Sequence, residues 1–225
     1  MNLQERARRF HELHQSGTLV LPNAWDAASA ALIAEAGAAA VATTSSGVSW
    51  ALGVPDGEQL GREEAVAAVA RIARTVAVPV SADVEGGYGP TPADVADTIA
   101  AVIDAGAVGA PEEREDMTLA RAVDYRRAGA DCLFVPGLAD LAVIARLVSR
   151  APLPINIMLM PGLTPTIAEL RAAGVRRLSV GQAIASAAYE VARRAAAQLL
   201  AGDDATLRHG IPFAEMQRLL TRPAG

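Results

Sequence analysis

Short apolar runs alternate with longer amphipathic stretches along most of the chain. The apolar runs are six to eight residues long and rich in Val, Ile and Leu, which is typical of buried strands. The predicted strands are 18–23, 39–44, 78–84, 131–137, 153–160 and 175–181. The stretches with helical spacing are 1–17, 24–37, 62–76, 91–106, 117–129, 138–151, 164–174, 182–202 and 212–220.

Alternation of strands and helices predicts an α/β protein with parallel strands and right-handed crossovers. Two layouts fit this order, a closed (β/α) barrel and an open doubly wound sheet. A doubly wound dinucleotide-binding sheet normally has a glycine-rich turn after its first strand. Here that turn reads PNAWDAASA (22–30) and contains no glycine. The sequence therefore favours the barrel.

Length and composition suit one barrel domain with an extension. The chain has 225 residues and is 52% apolar with 4% aromatics, so its core is built from Ala, Val, Leu and Ile. We predict a barrel domain over 1–202 and a helical extension over 203–225. The extension has apolar residues at helical spacing, which predicts packing on a neighbouring subunit and hence a homo-oligomer. These residues are Ile211, Phe213, Met216, Leu219 and Leu220.

Charge and targeting signals exclude several classes of protein. The net charge is −5, the pI is about 5.3 and no basic run occurs, which argues against nucleic acid and anionic membranes as partners. No apolar stretch approaches the ~20 residues that span a bilayer, and residues 1–17 lack the apolar centre of a signal peptide. The single cysteine, Cys132, excludes an internal disulfide. We expect a cytoplasmic protein.

The absence of certain residue types narrows the chemistry. All 20 basic residues are arginine, so Schiff-base chemistry and lysine bases are excluded. The histidines are His11, His14 and His209, all near the ends of the chain. Acid–base or metal chemistry in the middle of the chain therefore falls to Asp, Glu, Tyr, Ser, Arg or the backbone.

Two carboxylates stand at the end of the third predicted strand, in the stretch SADVEGGYG (81–89). Asp83 and Glu85 are two residues apart, so a strand would direct both side chains to the same face. In a barrel that face is the interior at the carboxyl-terminal rim, where barrel active sites lie. Adjacent like charges repel unless a cation or a shared proton joins them, and among cations Mg²⁺ suits carboxylates and waters. The alternative is that both acids are solvated loop residues or helix caps.

Other predicted strand ends have polar residues that suit a ligand. Ser45, Ser46 and Gly47 follow the second strand, and the N–H groups of such a turn can hold an anionic oxygen. Asp56 lies in a Pro-Asp-Gly turn, which is also a strong turn signal by itself. Asn156 lies in an apolar strand, where it needs a ligand or a structural hydrogen bond as partner.

Several motifs in order resemble the isocitrate lyase / phosphoenolpyruvate mutase superfamily, in particular its small bacterial phosphonomutase-like and 2-methylisocitrate lyase-like members. They are LPNAWDAASALIAEAGAAAVATTSSGVSWALGVPDGE, VPVSADVEGGYG, GADCLFVPGL, PINIMLMPG and GVRRLSVG. The resemblance implies a (β/α)₈ TIM-type barrel, often a tetramer whose C-terminal helices are exchanged between subunits. It also implies chemistry that makes or breaks a C–C or P–C bond next to a pyruvate enolate.

The resemblance also implies roles for individual residues. Asp83 and Glu85 would hold Mg²⁺ directly or through waters. Asp56 would be a supporting catalytic acid near the metal. Ser45, Ser46 and Gly47 would contact the carboxylate of a small 2-oxo or enol acid, and Asn156 would be a further substrate contact.

The chain departs from the family pattern near residues 108–113. About one and a half βα units, with an acidic strand motif, a gating loop and a strand arginine, have no match there. Ser186 stands where relatives often have a substrate-binding arginine. Three explanations fit: the sequence lacks residues that the protein has, the deletion is genuine, or a partner chain fills the gap.

Three functions follow. The first is a Mg²⁺-dependent lyase or phosphonomutase-like enzyme. The second is a catalytically degenerate relative that binds a small dicarboxylate or serves in assembly, which the gap supports. The third, a different metal-dependent aldolase barrel, is disfavoured by the order of the motifs.

Overall fold

The computed structural model of the protein describes residues 2–107, 126 and 130–221. Within them the helices are α1 (Leu3–Gln15), α2 (Ala27–Glu35), α3 (Ser45–Ala51), α4 (Arg62–Thr75), α5 (Pro92–Asp104), α6 (Leu141–Arg150), α7 (Ile167–Ala172), α8 (Ala183–Leu200) and α9 (Phe213–Thr221). The strands are β1 (Leu19–Leu21), β2 (Asn23–Ala24), β3 (Val41–Thr43), β4 (Val80–Ser81), β5 (Leu133–Val135), β6 (Ile155–Met158) and β7 (Arg177–Ser179).

Every strand pair in the described residues is parallel. One sheet has the order β1-β7-β6-β5 and the other has the order β2-β3-β4. Only Pro22 separates β1 from β2, so one run of chain belongs to both sheets. The combined order, β4-β3-β2/β1-β7-β6-β5, follows a barrel wall with β4 and β5 at its two ends. The chain between β4 and β5 includes residues outside the described part.

Local signals in the sequence start the helices at the observed places. Asn2 and Glu5 form a reciprocal capping box at the start of α1, with Asn2 N donating to Glu5 Oε2 at 2.8 Å. Thr166 and Glu169 form the same arrangement at α7. Asp140 accepts a hydrogen bond from the backbone N–H of Val143 at 2.9 Å and caps α6. Each cap fixes the residue at which its helix begins.

The core lies on both surfaces of the sheets. Outside the barrel wall, alternate strand residues pack against the helices in two clusters, one around Ile72 and Val80 and one around Leu133 and Leu178. Inside the wall, Phe10 of α1 packs against Leu19 and neighbouring strand residues. Helix α1 thus covers the inner residues at one end of the wall, and the cavity described below is left at the carboxyl ends of the strands.

The predicted elements agree with the structure except in a few places. The strand predicted over 18–23 is interrupted at Pro22, and the strand predicted over 78–84 is reduced to β4 (Val80–Ser81). The loop predicted after residue 44 contains helix α3. The helix predicted over 117–129 and the gap near 108–113 lie outside the described residues, except for Arg126.

The C-terminal extension lies against its own chain in part. In α9, Leu219 is buried and Arg218 Nη2 is 2.5 Å from Glu35 Oε1 of α2. Phe213 stays 79% exposed and Leu220 46% exposed, so much of the apolar surface of α9 is not covered by the part of the chain that the structure describes. Packing on a neighbouring subunit stays a prediction. None of the helices in the described ranges is both long and apolar enough to cross a membrane.

Candidate active site

A cavity of about 240 Å³ opens at the carboxyl ends of the strands. Both sheets contribute to its wall, which is mostly polar on the side of β2, β3 and β4 and mixed on the side of β5, β6 and β7. Its lining residues include Asn23, Thr43, Thr44, Ser45, Ser46, Asp56, Ser81, Asp83, Phe134, Asn156, Met158, Arg177, Ser179 and Gln182. Five of the seven residues that we predicted for the site are among them, namely Ser45, Ser46, Asp56, Asp83 and Asn156.

Asp83 is held at the cavity by three hydrogen bonds. Its Oδ2 accepts from the backbone N–H of Ser45 at 3.1 Å, and its Oδ1 accepts from the backbone N–H of Glu85 at 3.2 Å. Its own backbone N–H donates to Thr43 Oγ1 at 2.8 Å. Both carboxylate oxygens are therefore fixed in direction, and the group faces the cavity in a defined orientation.

Glu85 does not face the cavity beside Asp83. Strand β4 ends at Ser81, and Glu85 has a φ of 50°, so the alternation of a strand no longer applies at this position. The Glu85 carboxylate instead accepts hydrogen bonds from the backbone N–H groups of Gly57 at 3.0 Å and Glu58 at 2.5 Å. The expectation that alternation directs both acids to one face is therefore wrong for Glu85, and its role toward a metal stays a prediction.

The surroundings of Glu85 make its carboxyl a weaker acid than that of an ordinary glutamate. Burial raises the pKa of the Glu85 carboxyl, and the hydrogen bond from the Glu58 backbone partly opposes this shift. The nearby acids Asp56 and Asp83 raise the pKa further by repulsion. A cation between these acids would relieve that repulsion.

Ser45, Ser46 and Gly47 form the first turn of α3 rather than a loop. Ser45 and Ser46 line the cavity, and the Ser46 hydroxyl lies 3.2 Å from Thr44 Oγ1. Gly47 is not among the lining residues. A Cβ atom at Gly47 would lie 2.7 Å from Thr44 Cγ2 and 2.8 Å from Trp25 Cβ, so its lack of a side chain allows close packing of α3.

Asn156 lies deep in the cavity, and Asp56 lies at its mouth. Asn156 is buried, and its Nδ2 donates to Ser179 Oγ at 3.0 Å. Its Oδ1 has no hydrogen-bond partner within the described chain and can accept one from a ligand. Asp56 is exposed and lies at the cavity's mouth, in the turn whose amides Glu85 holds.

Arg177 also lines the cavity, and we did not predict it from the sequence. It is buried to 4% exposure in β7, and its Nε has no hydrogen-bond partner among the described residues. Arg177 is the only basic residue among the described residues that line this cavity. A charged residue within the apolar strand VRRLSV was the available signal, because an arginine is rarely buried without an anion.

The donor set fits magnesium. Mg²⁺ is usually held by one or two carboxylates and several waters, and Asp83 and Asp56 both line the cavity. Hydroxyl groups of Ser45, Ser46 and Thr43 stand close by and can bind metal-held waters. Within the described ranges, no group of three or more Asp, Glu, His or Cys side chains is arranged to hold a metal. A magnesium ion at this place would therefore rely on waters or substrate for most of its ligands.

Comparison with known proteins decides the family. The model of the phosphoenolpyruvate phosphomutase family matches residues 10–116 and 110–200, which together are most of the chain. The chain belongs to the phosphoenolpyruvate phosphomutase family. The superfamily resemblance seen in the sequence is thereby confirmed.

Relatives in sequence and structure agree with this assignment. An uncharacterized protein of Mycobacterium tuberculosis is 36% identical over 251 positions, which cover 94% of this chain and 95% of the relative. A crystal structure of a Burkholderia cenocepacia protein, provisionally assigned as a lyase/mutase, is 32% identical with a TM-score of 0.88 and covers 99% of both chains. The phosphoenolpyruvate phosphomutase of Streptomyces platensis subsp. rosaceus shares the fold, at 20% identity and a TM-score of 0.84 over 95% of this chain and 94% of that one.

These phosphomutase relatives also bear on the gap near residues 108–113. The family model matches in two pieces that meet at 110–116, where the family pattern is interrupted in the sequence. The alignment with the mycobacterial protein spans 251 positions, although this chain has 225 residues. The relative therefore has residues without a counterpart here.

Proposed function

We propose that the protein is a Mg²⁺-dependent lyase or phosphonomutase-like enzyme that acts on a small 2-oxo or enol carboxylic acid. The observation that carries the proposal is the placement of Asp83. Its carboxylate faces the cavity and is oriented by the backbone N–H groups of Ser45 and Glu85. Family membership supports an enzyme of the lyase or mutase kind.

The size and polarity of the cavity support a small acidic substrate. A volume of about 240 Å³ is below the range of drug-sized pockets, so it suits a molecule of a few heavy atoms. Arg177 provides positive charge, and Asn156 Oδ1 provides a free acceptor. Ser45 and Ser46 provide hydroxyl groups at the opposite wall. A substrate with a carboxylate and an adjacent hydroxyl group, as in an enol acid, can use all of these groups, because the hydroxyl can donate to Asn156 Oδ1.

The residues of the chain would bind and orient such a substrate. Asp83 and Asp56, with waters, would hold Mg²⁺. When bound, this ion supplies a positive charge that stabilises the enolate formed when the C–C or P–C bond breaks. Arg177 would attract the substrate carboxylate, and Ser46 would donate a hydrogen bond to it. The half-buried side chains of Phe134 and Met158 would limit access of water to the reacting carbon.

A second function, binding without catalysis, has one observation in its favour. The family match is broken at 110–116, and within the described part of the chain no group of three carboxylates is arranged to hold a metal. A relative that has lost some of its catalytic residues could still bind a small dicarboxylate. The two functions share the cavity, so ligand binding is tested before turnover.

The test is thermal unfolding with and without Mg²⁺ and oxalate, which resembles a pyruvate enolate. We expect the melting temperature to rise only when both are present, because each ligand completes the site for the other. The matched variants are Asp83→Asn, which keeps an acceptor for the Ser45 amide but loses the charge, and Asp97→Asn at an exposed position of α5. Asp83→Asn should abolish the rise, and Asp97→Asn should keep it.

The outcomes separate the proposals. No rise in the wild type, or an equal rise in Asp83→Asn, would contradict a working enolate site at Asp83. A rise that depends on Asp83 justifies assays for cleavage of 2-oxo acids and phosphono acids. Ligand binding without turnover in those assays would favour the binding protein.

A further inference from the structure

Two loops at the mouth of the cavity are joined by carboxylates in both directions. The first loop contains Gly57 and Glu58, and the second contains Glu85 and Tyr88. Glu85 Oε2 accepts hydrogen bonds from the backbone N–H groups of Gly57 and Glu58 at 3.0 and 2.5 Å. In return, Glu58 Oε1 accepts from the backbone N–H of Tyr88 at 2.9 Å. Each loop thus provides an acid that binds amides of the other.

The backbone of both loops is strained at the residues that make these bonds. In the described chain, the non-glycine residues with positive φ are Glu58 at 56°, Glu85 at 50° and Tyr88 at 57°. Such conformations cost on the order of 1 kcal/mol or more each and persist only where surrounding contacts enforce them. All three lie in this one pair of loops, so the reciprocal carboxylates are the contacts that maintain the strain.

A glycine makes room for the Glu58 side chain. A Cβ atom at Gly86 would lie 2.9 Å from Glu58 Oε1, closer than real Cβ contacts. Gly86 is not one of the positive-φ glycines, so its backbone conformation does not itself require glycine. The absence of a side chain at residue 86 therefore serves the position of the Glu58 carboxylate.

The joined loops include both acids of the cavity. Asp56 directly precedes Gly57, and Asp83 Oδ1 accepts from the backbone N–H of Glu85 at 3.2 Å. A chain of hydrogen bonds therefore runs from the turn of Asp56 through Glu85 to Asp83. The distance between the two cavity acids depends on how firmly the loops are joined.

We infer that Glu58 is a positioning residue for the proposed site. It does not line the cavity, and it acts by holding the Tyr88 amide and thereby the loop that contains Glu85. The inference rests on the proposed function only in one respect, namely the identity of the ligand that the site binds. The joining of the loops can be tested without any ligand.

The first experiment is hydrogen exchange measured by mass spectrometry on the ligand-free protein. Glu58→Ala removes the acceptor of the Tyr88 amide, so we expect at least tenfold faster exchange in peptides that cover 55–60 and 85–90. Glu58→Gln keeps an oxygen acceptor and should exchange within about twofold of the wild type. The matched control is Glu169→Ala, which removes an exposed acid that holds the backbone N–H of Thr166 at 2.8 Å, away from the cavity. This control should leave both peptides unchanged.

The second experiment measures oxalate affinity at saturating Mg²⁺. We expect Glu58→Ala to weaken the affinity at least tenfold, whereas Glu58→Gln and Glu169→Ala stay within about twofold of the wild type. If Glu58 only stabilised a surface turn, Glu58→Ala and Glu169→Ala would both lower the melting temperature, and both would leave the oxalate affinity unchanged.

A double-mutant comparison gives an independent check on the geometry. Gly86→Ala should displace the Glu58 carboxylate and accelerate exchange at Tyr88 in the wild-type background. In the Glu58→Ala background the same substitution meets only an alanine, so its additional effect should be small.

The results distinguish failure of this inference from failure of the proposed function. Unchanged exchange in Glu58→Ala would contradict the claim that these carboxylates join the two loops. Fully additive effects of Glu58→Ala and Gly86→Ala would contradict it as well. Unchanged oxalate affinity in Glu58→Ala, with a wild type that binds, would overturn the positioning role. If the wild type binds no oxalate, the proposed function fails, and faster exchange in Glu58→Ala would still establish the joined loops.

Discussion

The backbone N–H of Ser45 donates a hydrogen bond to Oδ2 of Asp83 at 3.1 Å, across 38 residues of sequence. This bond joins the first turn of α3 to the chain that follows β4. The orientation of the Asp83 carboxylate therefore depends on helix α3, which begins just after β3, the strand that pairs with β4. Any change that shifts α3 should shift the carboxylate as well, and this relationship gives the first prediction.

Gly47→Ala should weaken both folding and ligand binding. The new Cβ atom would lie 2.7 Å from Thr44 Cγ2 and 2.8 Å from Trp25 Cβ, so α3 must move. Overpacking of this kind typically costs about 1–3 kcal/mol in the free energy of unfolding. Urea denaturation measures that loss, and oxalate titration measures the change at Asp83.

The control for Gly47 is Gly210→Ala. Gly210 has a φ of −69°, and its Cβ atom would meet only Leu207 O at 3.5 Å. We expect it to change the free energy of unfolding by less than about 0.5 kcal/mol. Equal stability of the two variants would contradict the close packing of α3.

Arg177→Met should preserve folding and impair binding of a carboxylate. The guanidinium is buried and its Nε has no hydrogen-bond partner among the described residues, so replacing it with an apolar side chain should leave the melting temperature equal or higher. The same change removes the positive charge from the cavity wall. We expect oxalate affinity to fall about tenfold or more, as measured by calorimetry with Mg²⁺ present.

Arg176→Met provides the matched control for Arg177. Arg176 is the adjacent residue, is exposed, and donates from Nη1 to Gly17 O at 3.3 Å outside the cavity. It should keep wild-type affinity. Equal loss of affinity in both variants, or none in Arg177→Met, would contradict a role for Arg177 in binding the anion.

His14 should make stability depend on pH. Burial lowers the pKa of His14 below its usual value of 6.5, and the neighbouring Arg177 lowers it further, while the hydrogen bond to Phe10 O and the charge of Asp131 raise it. Between the lowered pKa and 6.5, the unfolded chain binds more protons than the folded protein. This contribution to stability is therefore complete above 6.5 and declines as the pH falls through that window.

The measurement compares free energies of unfolding at pH 7.5 and pH 5.5 for the wild type and His14→Leu. We expect the wild type to lose more stability between the two pH values than the variant. His14→Leu also loses the hydrogen bond to Phe10 O. This loss changes the free energy of unfolding equally at the two pH values, so it cancels in the difference. His209→Gln, at an exposed position, controls for histidine substitution in general. An identical pH dependence in His14→Leu and the wild type would refute the prediction.

Phe213→Asp tests the association of subunits. Phe213 is 79% exposed in the single chain, so a charge there should not alter the fold of one subunit. If α9 packs on a neighbouring subunit, the charge should dissociate the oligomer, and light scattering should show the mass of one chain. Leu163→Asp, at a residue that is 73% exposed outside the extension, is the control. A wild type that is monomeric would contradict the association directly.

The order of strands and helices could be read from the sequence because apolar runs and helix caps are local signals. The apolar run at 153–160 and the Thr166–Glu169 cap are sufficient to locate β6 and α7. The positions of Asp83 and Asn156 followed from the same reasoning, since the carboxyl ends of parallel strands meet at one rim.

The sequence did not reveal features that depend on contacts between distant segments. The direction of the Glu85 side chain is set by amides of residues 57 and 58, and no local pattern shows that the strand stops at Ser81. Ser-Ser-Gly is a common loop composition, so the sequence predicts a loop where helix α3 forms. The burial of Arg177 follows from the position of β7 between β1 and β6, and the apolar strand around it is only an indirect signal of that burial in the sequence.

The pairing of β1 with β7 has a consequence for synthesis of the chain. Strands β2, β3 and β4 pair in sequence order and can associate while the remainder is still being translated. Strand β1 pairs with β7, a pairing in which Leu19 is opposite Arg177. The backbone groups of β1 that bind β7 therefore have no partner until almost the whole domain has left the ribosome. During that interval β1 is an exposed edge that can pair with another nascent chain. Chaperone binding, or rapid translation up to β7, would protect the protein at this stage.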